Sequence, residues 1–170
     1  TTGYMLFKRF NRSISKTSPG VASQNRPSII FRLADFYLIY AEVANEVNPS
    51  DSRVLTYLNL VRERAGLPKV EILNPGIVGN KELQRAAIQR ERQIELATEG
   101  QRYFDVRRWM IADKDGEGRQ NGYAHGMNVR GTINDTEEFN RVVETEKIVF
   151  NRKMYLQPIP DHEMRKTQNL

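Results

Sequence analysis

Cysteine is missing altogether from the 170 residues. That excludes disulfide scaffolds, thiolate zinc sites and cysteine nucleophiles together, while leaving the compartment open, because oxidising and reducing environments both tolerate a cysteine-free chain. Histidine is nearly as scarce. His125 and His162 are the two present, and no Glu-x-x-His helix pattern accompanies them, so no metal site is expected. No run of about 18 apolar residues occurs, so no helix is expected to span a bilayer. G-x-G-x-x-G, the P-loop and the G-x-S-x-G elbow are also absent, which leaves dinucleotide, nucleoside triphosphate and serine-hydrolase sites without sequence support and no cofactor to expect. The chain opens at Thr1 with no charged-then-apolar leader before a small-residue cleavage site, so a mature or truncated product is expected.

What is present is enough for a core. Hydrophobic residues make up 39% and charged residues 28% of the chain, a balance typical of a folded domain and unlike that of a disordered one. The formal charge of +5 is local. Residues 1–32 hold Lys8, Arg9, Arg12, Lys16, Arg26 and Arg32 and no acid, leaving 20 basic against 21 acidic residues in the remainder. The basic residues are not densely clustered and alternate with Tyr4, Leu6, Phe7 and Phe10. This is the pattern of a solvated strand and loop, and no nucleic-acid partner is expected.

Residues 4–10 are rich in β-formers and predict a short strand, followed by a Ser-, Asn- and Pro-rich loop over 11–28. A helix is expected from Arg32 to Val47, with Leu33, Phe36, Tyr37, Tyr40, Ala44 and Val47 on one broad face. Leu38 and Ile39 carry apolar character further round the cylinder, leaving Asp35, Glu42 and Glu46 as a narrow polar stripe. Such a helix requires neighbours on both sides. Asn48-Pro49 ends it and Ser50 or Asp51 can cap a second helix, which carries Val54, Tyr57, Leu58, Val61 and Ala65 and stops at Gly66 before Pro68. The two make an antiparallel hairpin about the size of one tetratricopeptide repeat. Residues 69–79 are a loop, and Asn80 caps a long helix reaching Glu99. Gly100 occupies its C′ position, and Leu83, Ala86, Ala87, Ile94 and Ala97 form the apolar face. A further helix runs from Gln101 to Ala112. Residues 113–131 contain five glycines and predict a long loop; 141–143, 147–150 and 154–159 predict short strands, and Asp161 caps a last helical turn.

Two groups of side chains stand out. Glu91, Glu95 and Glu99 follow one another at i, i+4 and i+8, where like charges repel. Arg102, Arg107 and Arg108 follow at once, so the stripe reads as an ion-pair network and not as a cation site. Arg90, projecting from an apolar face, needs an anionic partner such as Glu42, Glu46 or Asp105. Within the Gly-rich segment, Asn121, Tyr123 and His125 alternate; a tyrosine ring flanked by amide and imidazole can stack on a sugar face and hydrogen-bond its hydroxyls.

Four segments together resemble a known family. Pro27–Glu46 (PSIIFRLADFYLIYAEVANE) is similar to the P-I-I-R-x-A-[ED]-x-x-L-x-Y-A-E-A helix of SusD/RagB-type outer-membrane proteins, and Tyr57–Pro68 (YLNLVRERAGLP) to the helix that follows it. Ile88–Trp109 (IQRERQIELATEGQRYFDVRRW) matches E-R-x-x-E-[LF]-x-x-E-G-x-R-[YF]-x-D-x-x-R-W, and Tyr155–Leu170 (YLQPIPDHEMRKTQNL) resembles the Y-L-x-P-I-P-x-x-E-[IM] strand and turn. The motifs occur in the family's order and span most of the chain.

The resemblance implies a mainly α fold, an α/α superhelix with tetratricopeptide-like hairpins, irregular loops and a few short strands. It implies that residues 1–170 are the carboxy-terminal part of a larger protein whose amino-terminal part, with its lipid anchor, is not in this chain. The implied function is non-enzymatic capture of a nutrient, usually an oligosaccharide or polysaccharide, on the outer face of the outer membrane. The captured glycan is delivered to a SusC-like TonB-dependent transporter. Arg90, Glu91, Arg92, Glu95, Glu99, Gly100, Arg102, Asp105, Arg108 and Trp109 are then expected to brace the framework; ligand contacts are expected from Asn121, Tyr123, His125 and, more remotely, Tyr4. Two rivals remain: a transporter-docking or structural role with ligand binding elsewhere, and a glycoside hydrolase that uses two of the acids.

Overall fold

The computed structural model describes residue 8 and residues 29–114, 122–127 and 141–166. The strand expected over 4–10, the loop over 11–28, Tyr4 and Asn121 lie outside those residues. The chain divides into two compact units: residues 26–105, and residues 106–170 together with 1–25.

The first unit is helical. Helix α1 spans Leu33–Val47, α2 Arg53–Arg64, α3 Val70–Leu73 and α4 Lys81–Glu95, and α5 begins at Gln101 and ends at Arg108. The turns follow from local chemistry. Asn48 Oδ1 accepts from the Ser50 N–H and Asp51 Oδ1 from the Arg53 N–H, which starts α2. Gly66 closes α2 with φ of 77°: Leu67 N–H reaches the Arg62 carbonyl and Gly66 N–H that of Glu63, the paired bonds that a left-handed C′ residue permits. Asn80 caps α4 by accepting from the Leu83 N–H at 3.1 Å.

Helices α1, α2 and α4 pack around Leu38, Ala41, Val54, Leu58, Val61 and Ile88. Residues 69–79, expected as loop, are ordered: α3 and a 3-10 turn over Pro75–Ile77 insert Val70 and Ile77 into this core. Asn59 holds the segment by accepting from the Val70 N–H and donating to Glu71, while Gln84 donates to the Ile77 and Pro49 carbonyls.

The inward faces differ from those expected. On α1 the buried positions are Ala34, Asp35, Leu38, Ala41 and Asn45; Leu33, Phe36 and Val47 are exposed, Val47 at 82%. The helix turns its small residues inward, where they let α2 and α4 approach, and its large ones outward. Asp35, placed in the solvent stripe by periodicity, is buried. On α4 the buried set is Gln84, Ile88, Glu91 and Arg92, while Leu83 and Ile94 are exposed. Polar residues face inward because each meets a partner there. Helix α4 also stops at Glu95 and not at Glu99. The chain then turns through Leu96–Gly100 with Thr98 and Gly100 at φ of 67° and 84°, and the freed Glu95 carbonyl accepts from Arg32 at 2.7 Å.

In the second unit, Val106, Ile111, Ala112 and Phe150 form a small cluster with Trp109 and Tyr155 against it. Strands β1 (Gly122–Met127) and β2 (Arg141–Ile148) pair antiparallel, so the expected long loop contains a strand. The strand expected over 154–159 is not formed: Arg152–Tyr155 is a 3-10 turn, and Leu156–Pro160 leads into α6 (Asp161–Lys166).

Candidate functional site

The densest constellation of charged groups lies within the helical unit, on the inner side of α4. Arg92 is buried. Its Nε and Nη2 donate to the two oxygens of Asp105 at 2.9 and 3.1 Å, and its Nη1 donates to Asp35 Oδ1 at 2.8 Å. A planar guanidinium can do this because its donors lie in a fixed fork that matches a carboxylate edge. One side chain thus ties α1 and α5 to α4. One residue earlier, Glu91 accepts from Arg62 of α2 at 2.9 Å, and Arg62 Nε donates to the Pro68 carbonyl. At the end of α4, Arg32 spans Glu95 and Glu99, with Nε 3.1 and 2.9 Å from the two Glu99 oxygens. Its guanidinium pKa is raised, chiefly by the hydrogen bonds it donates to Glu99 and against the opposing effect of burial. Arg64 of α2 also pairs with Glu95.

The stripe Glu91–Glu95–Glu99 therefore has partners that precede it in sequence, at the start of α1 and along α2. Arg32, Asp35, Arg62 and Arg64 are the members that sequence reasoning did not single out. Signals existed: Arg32 and Asp35 lie in the first matched segment and Arg62 in the second. Gly100 takes a left-handed conformation with open space where a Cβ would go, so conformation and not crowding selects glycine there. Arg102 is half-buried on α5. Arg90 requires a correction. It is exposed, because the face it shares with Leu83 and Ile94 points outward, and no desolvation demands an anion for it.

Arg108 and Trp109 fall in the other unit, with the Arg108 guanidinium 4.6 Å from the Trp109 ring centroid. Nearby, Arg107 lies over Phe150 at 5.0 Å, and the Tyr155 hydroxyl donates to Asp113 Oδ1 while accepting from the Asp113 N–H. The phenol pKa is raised, by desolvation first and the Asp113 contact second, and the same bond lowers that of Asp113. Tyr123 and His125 lie in β1, opposite Lys147 and Val143 respectively. Two residues of β1 are thus matched by four of β2. The extra residues of this bulge lie in β2.

Chemically, the buried acids of the helical unit are all paired. Each buried carboxylate among the described residues (Asp35, Glu91 and Asp105) accepts from an arginine, and no group of three or more metal-ligating side chains occurs among them.

A family model for the SusD family matches residues 1–170. This chain belongs to the SusD family. Over 106 residues it is 44% identical to SusD-like protein P25 of Formosa agariphila, a match covering 62% of this chain and 19% of that protein. Over 90 residues it is 36% identical to SusD-like protein P2 of the same organism, covering 51% and 17%. Among solved structures it superposes on selenomethionine BT4246 with a TM-score of 0.66 at 33% identity, over 85% of this chain and 24% of that one. This SusD-family chain spans less than a quarter of the length of these relatives. Its mainly helical architecture agrees with the superposed structure, and no helix among its described residues is long and apolar enough to cross a membrane.

Proposed function

We propose that these 170 residues are the carboxy-terminal part of a lipid-anchored protein on the outer face of a bacterial outer membrane. That protein captures an oligosaccharide or polysaccharide and passes it, without chemical turnover, to a SusC-like TonB-dependent transporter. Family membership over the whole chain supports this reading. The observation that carries it to this chain's own residues is the burial and arginine pairing of Asp35, Glu91 and Asp105. Asp35 and Asp105 both accept from Arg92, and Glu91 accepts from Arg62. A catalytic carboxylate has to reach its substrate; these three are buried within the helix packing and paired with arginine there. The signature around Gly100 is then scaffold, holding an α/α superhelix of tetratricopeptide-like hairpins of which α1 and α2 form one.

Glycan contact falls to stacking and hydrogen-bonding groups outside the brace, with Tyr123 and His125 as this chain's contributors and Asn121 and Tyr4 as weaker ones. Isothermal calorimetry of the full-length protein against a polysaccharide panel tests the reading. One or more glycans should release heat without new reducing ends appearing, and Tyr123→Ala with His125→Ala should weaken that binding about tenfold, the loss of one stacked ring. Heat from none of the panel, or accumulating reducing ends, overturns it. In a second reading this region docks on the transporter and the glycan binds elsewhere. Under that reading the double variant keeps its glycan affinity and loses transporter co-purification.

A further inference from the structure

Helix α5 stops on a residue that carries a side chain where glycine is the easier choice. Met110 N–H reaches the Arg107 carbonyl and Ile111 N–H that of Val106, the paired bonds of a left-handed helix stop. The left-handed residue is Met110, at φ of 53°, a conformation that glycine adopts at lower cost. Met110 lines a recess of about 780 Å³ that belongs wholly to the second unit. Arg107 and Arg108 of α5 line it too, together with Arg152 and Lys153 from the 3-10 turn over Arg152–Tyr155. Tyr155 and Leu156 complete its apolar part. Four cations therefore surround one recess, and no acid lines it. Arg152 and Lys153 are exposed, and among the described residues neither pairs with a carboxylate at ion-pair distance. Exposed bases elsewhere in this unit do pair, Arg165 with Asp161 and Lys166 with Glu163. The neighbouring Asp113 is already bonded to the Tyr155 hydroxyl.

Cations gathered without a counter-charge repel one another and focus a positive potential on the space they enclose. That space has the size of a small-ligand site, about 300–1,000 Å³. An anion carried on a body with an apolar face satisfies both parts of the lining. We infer that this recess binds an acidic sugar: a saccharide unit bearing a carboxylate or a sulfate ester, whose oxygens accept from Arg152 and Lys153 while its ring lies against Met110 and Leu156. Guanidinium suits such oxygens because its forked donors match their geometry, and the ammonium of Lys153 adds a point charge. A lipid phosphate offers the same charge. The sugar is favoured because the apolar wall beside the cations suits the C–H face of a ring, which a headgroup phosphate lacks. The inference rests on the glycan-capture reading and adds to it a charged subsite, and with it the sign of the glycan.

Calorimetric titration of the full-length protein tests this with three probes of equal length: an oligogalacturonate, a sulfated galactan oligosaccharide and a neutral galactan oligosaccharide. At low salt one of the acidic probes should bind at least about tenfold more tightly than the neutral one, and added salt should shrink that advantage. Arg152→Gln with Lys153→Gln should abolish the advantage and leave the melting temperature in place, since both side chains are exposed. Arg165→Gln with Lys166→Gln removes the same charge from paired positions and should preserve the advantage. Met110→Gly should hold or raise the melting temperature yet weaken the acidic probe, which separates the recess from the stability of the helix stop. Equal affinity for acidic and neutral probes overturns the inference, as does an equal effect of the two double variants. Tighter binding to phosphatidylglycerol vesicles than to either acidic probe, lost in the Arg152 and Lys153 variant, assigns the recess to a lipid phosphate and also overturns it. If the neutral probe alone binds, glycan capture stands and this inference falls; if no glycan of the wider panel binds, both fall.

Discussion

Residues 26–105 and the cluster around Val106–Asp113 and Phe150–Tyr155 organise themselves by different means. The first unit has a cluster of nine buried apolar residues and, in the same interior, Asp35, Asn45, Asn59, Gln84, Glu91, Arg92 and Asp105. The second has four buried apolar residues among those described, with arginines stacked on rings and a tyrosine–aspartate hydrogen bond beside them. In the first, direction comes from forked charge pairs that only one arrangement of α1, α2, α4 and α5 can satisfy. In the second, cation–ring contacts tolerate a range of geometries. Buried polar networks penalise every alternative packing that leaves them half-made. The helical unit is therefore the more narrowly specified of the two.

Removing the centre of the network is the most severe way to break that contrast. Arg92→Ala leaves Asp35 and Asp105 without the cation that faces them, and loss of one partner from a buried ionic set costs about 3–5 kcal/mol. Denaturant unfolding should show this loss in full. The triple variant Arg92→Met, Asp35→Leu, Asp105→Leu should recover most of it, because what destabilises is the uncompensated charge and not the missing guanidinium as such. If the triple variant is as unstable as the single one, the network does more than balance charge.

Equal deletions in the two cores give a smaller and sharper comparison. Leu58 is fully buried, and Ile111 retains 9% exposure. Truncation to alanine removes three carbons from each, so any difference reports how far the surroundings can relax. Within the range of about 2–5 kcal/mol for such truncations, Leu58→Ala belongs near the top and Ile111→Ala near the bottom. Hydrogen exchange resolved by peptide should place the first loss over α1, α2 and α4 and the second over 106–112. Equal losses would mean that the smaller cluster is as tightly packed as the larger.

The same contrast explains what was legible in the sequence. Helix existence and caps were, because Asn80, Gly66 and the Asn48–Asp51 turn act through their own backbone neighbourhood. Four motifs sufficed to recognise the family. Facing was not legible. Periodicity counts apolar residues, and on α1 and α4 the buried positions belong to Ala34, Asp35 and Asn45 and to Gln84, Glu91 and Arg92. A buried charge is chosen by a partner far along the chain: Arg92 and Asp35 lie 57 residues apart. The segment 70–77 was missed for a related reason, since four residues are too few to display a period and their helix depends on Asn59. Of the expected brace, Arg90 was misplaced by the facing error, whereas Asp35 was overlooked because of it. The candidate ligand residues are the least legible part, since a sheet bulge between Tyr123 and His125 is a property of register and leaves no trace in composition.

The mildest expected effect comes from pH, and it separates the two units by sign. In the helical unit Glu46 pairs with Arg85 and Lys81, and the Arg85 hydrogen bond, more than the Lys81 contact, lowers its pKa to about 2. A carboxyl depressed on folding contributes stability that is complete above its unfolded value of 4.5 and is lost as pH falls through about 2. Because this carboxylate is 42% exposed, solvent screening holds the contribution to about 1 kcal/mol or less. In the other unit the Tyr155 phenol is raised, so its contribution is complete below an unfolded value near 10 and is lost as pH climbs through the higher folded one. Acidification from pH 5 to 2 should therefore weaken α1–α4 protection less in Glu46→Gln, which has already forfeited this contribution at neutral pH, than in the parent chain. Raising the pH above 10 should open the 150–156 region in the parent and leave it indifferent in Tyr155→Phe. Parent and Glu46→Gln curves that run parallel down to pH 2 would show the surface pair to be energetically silent.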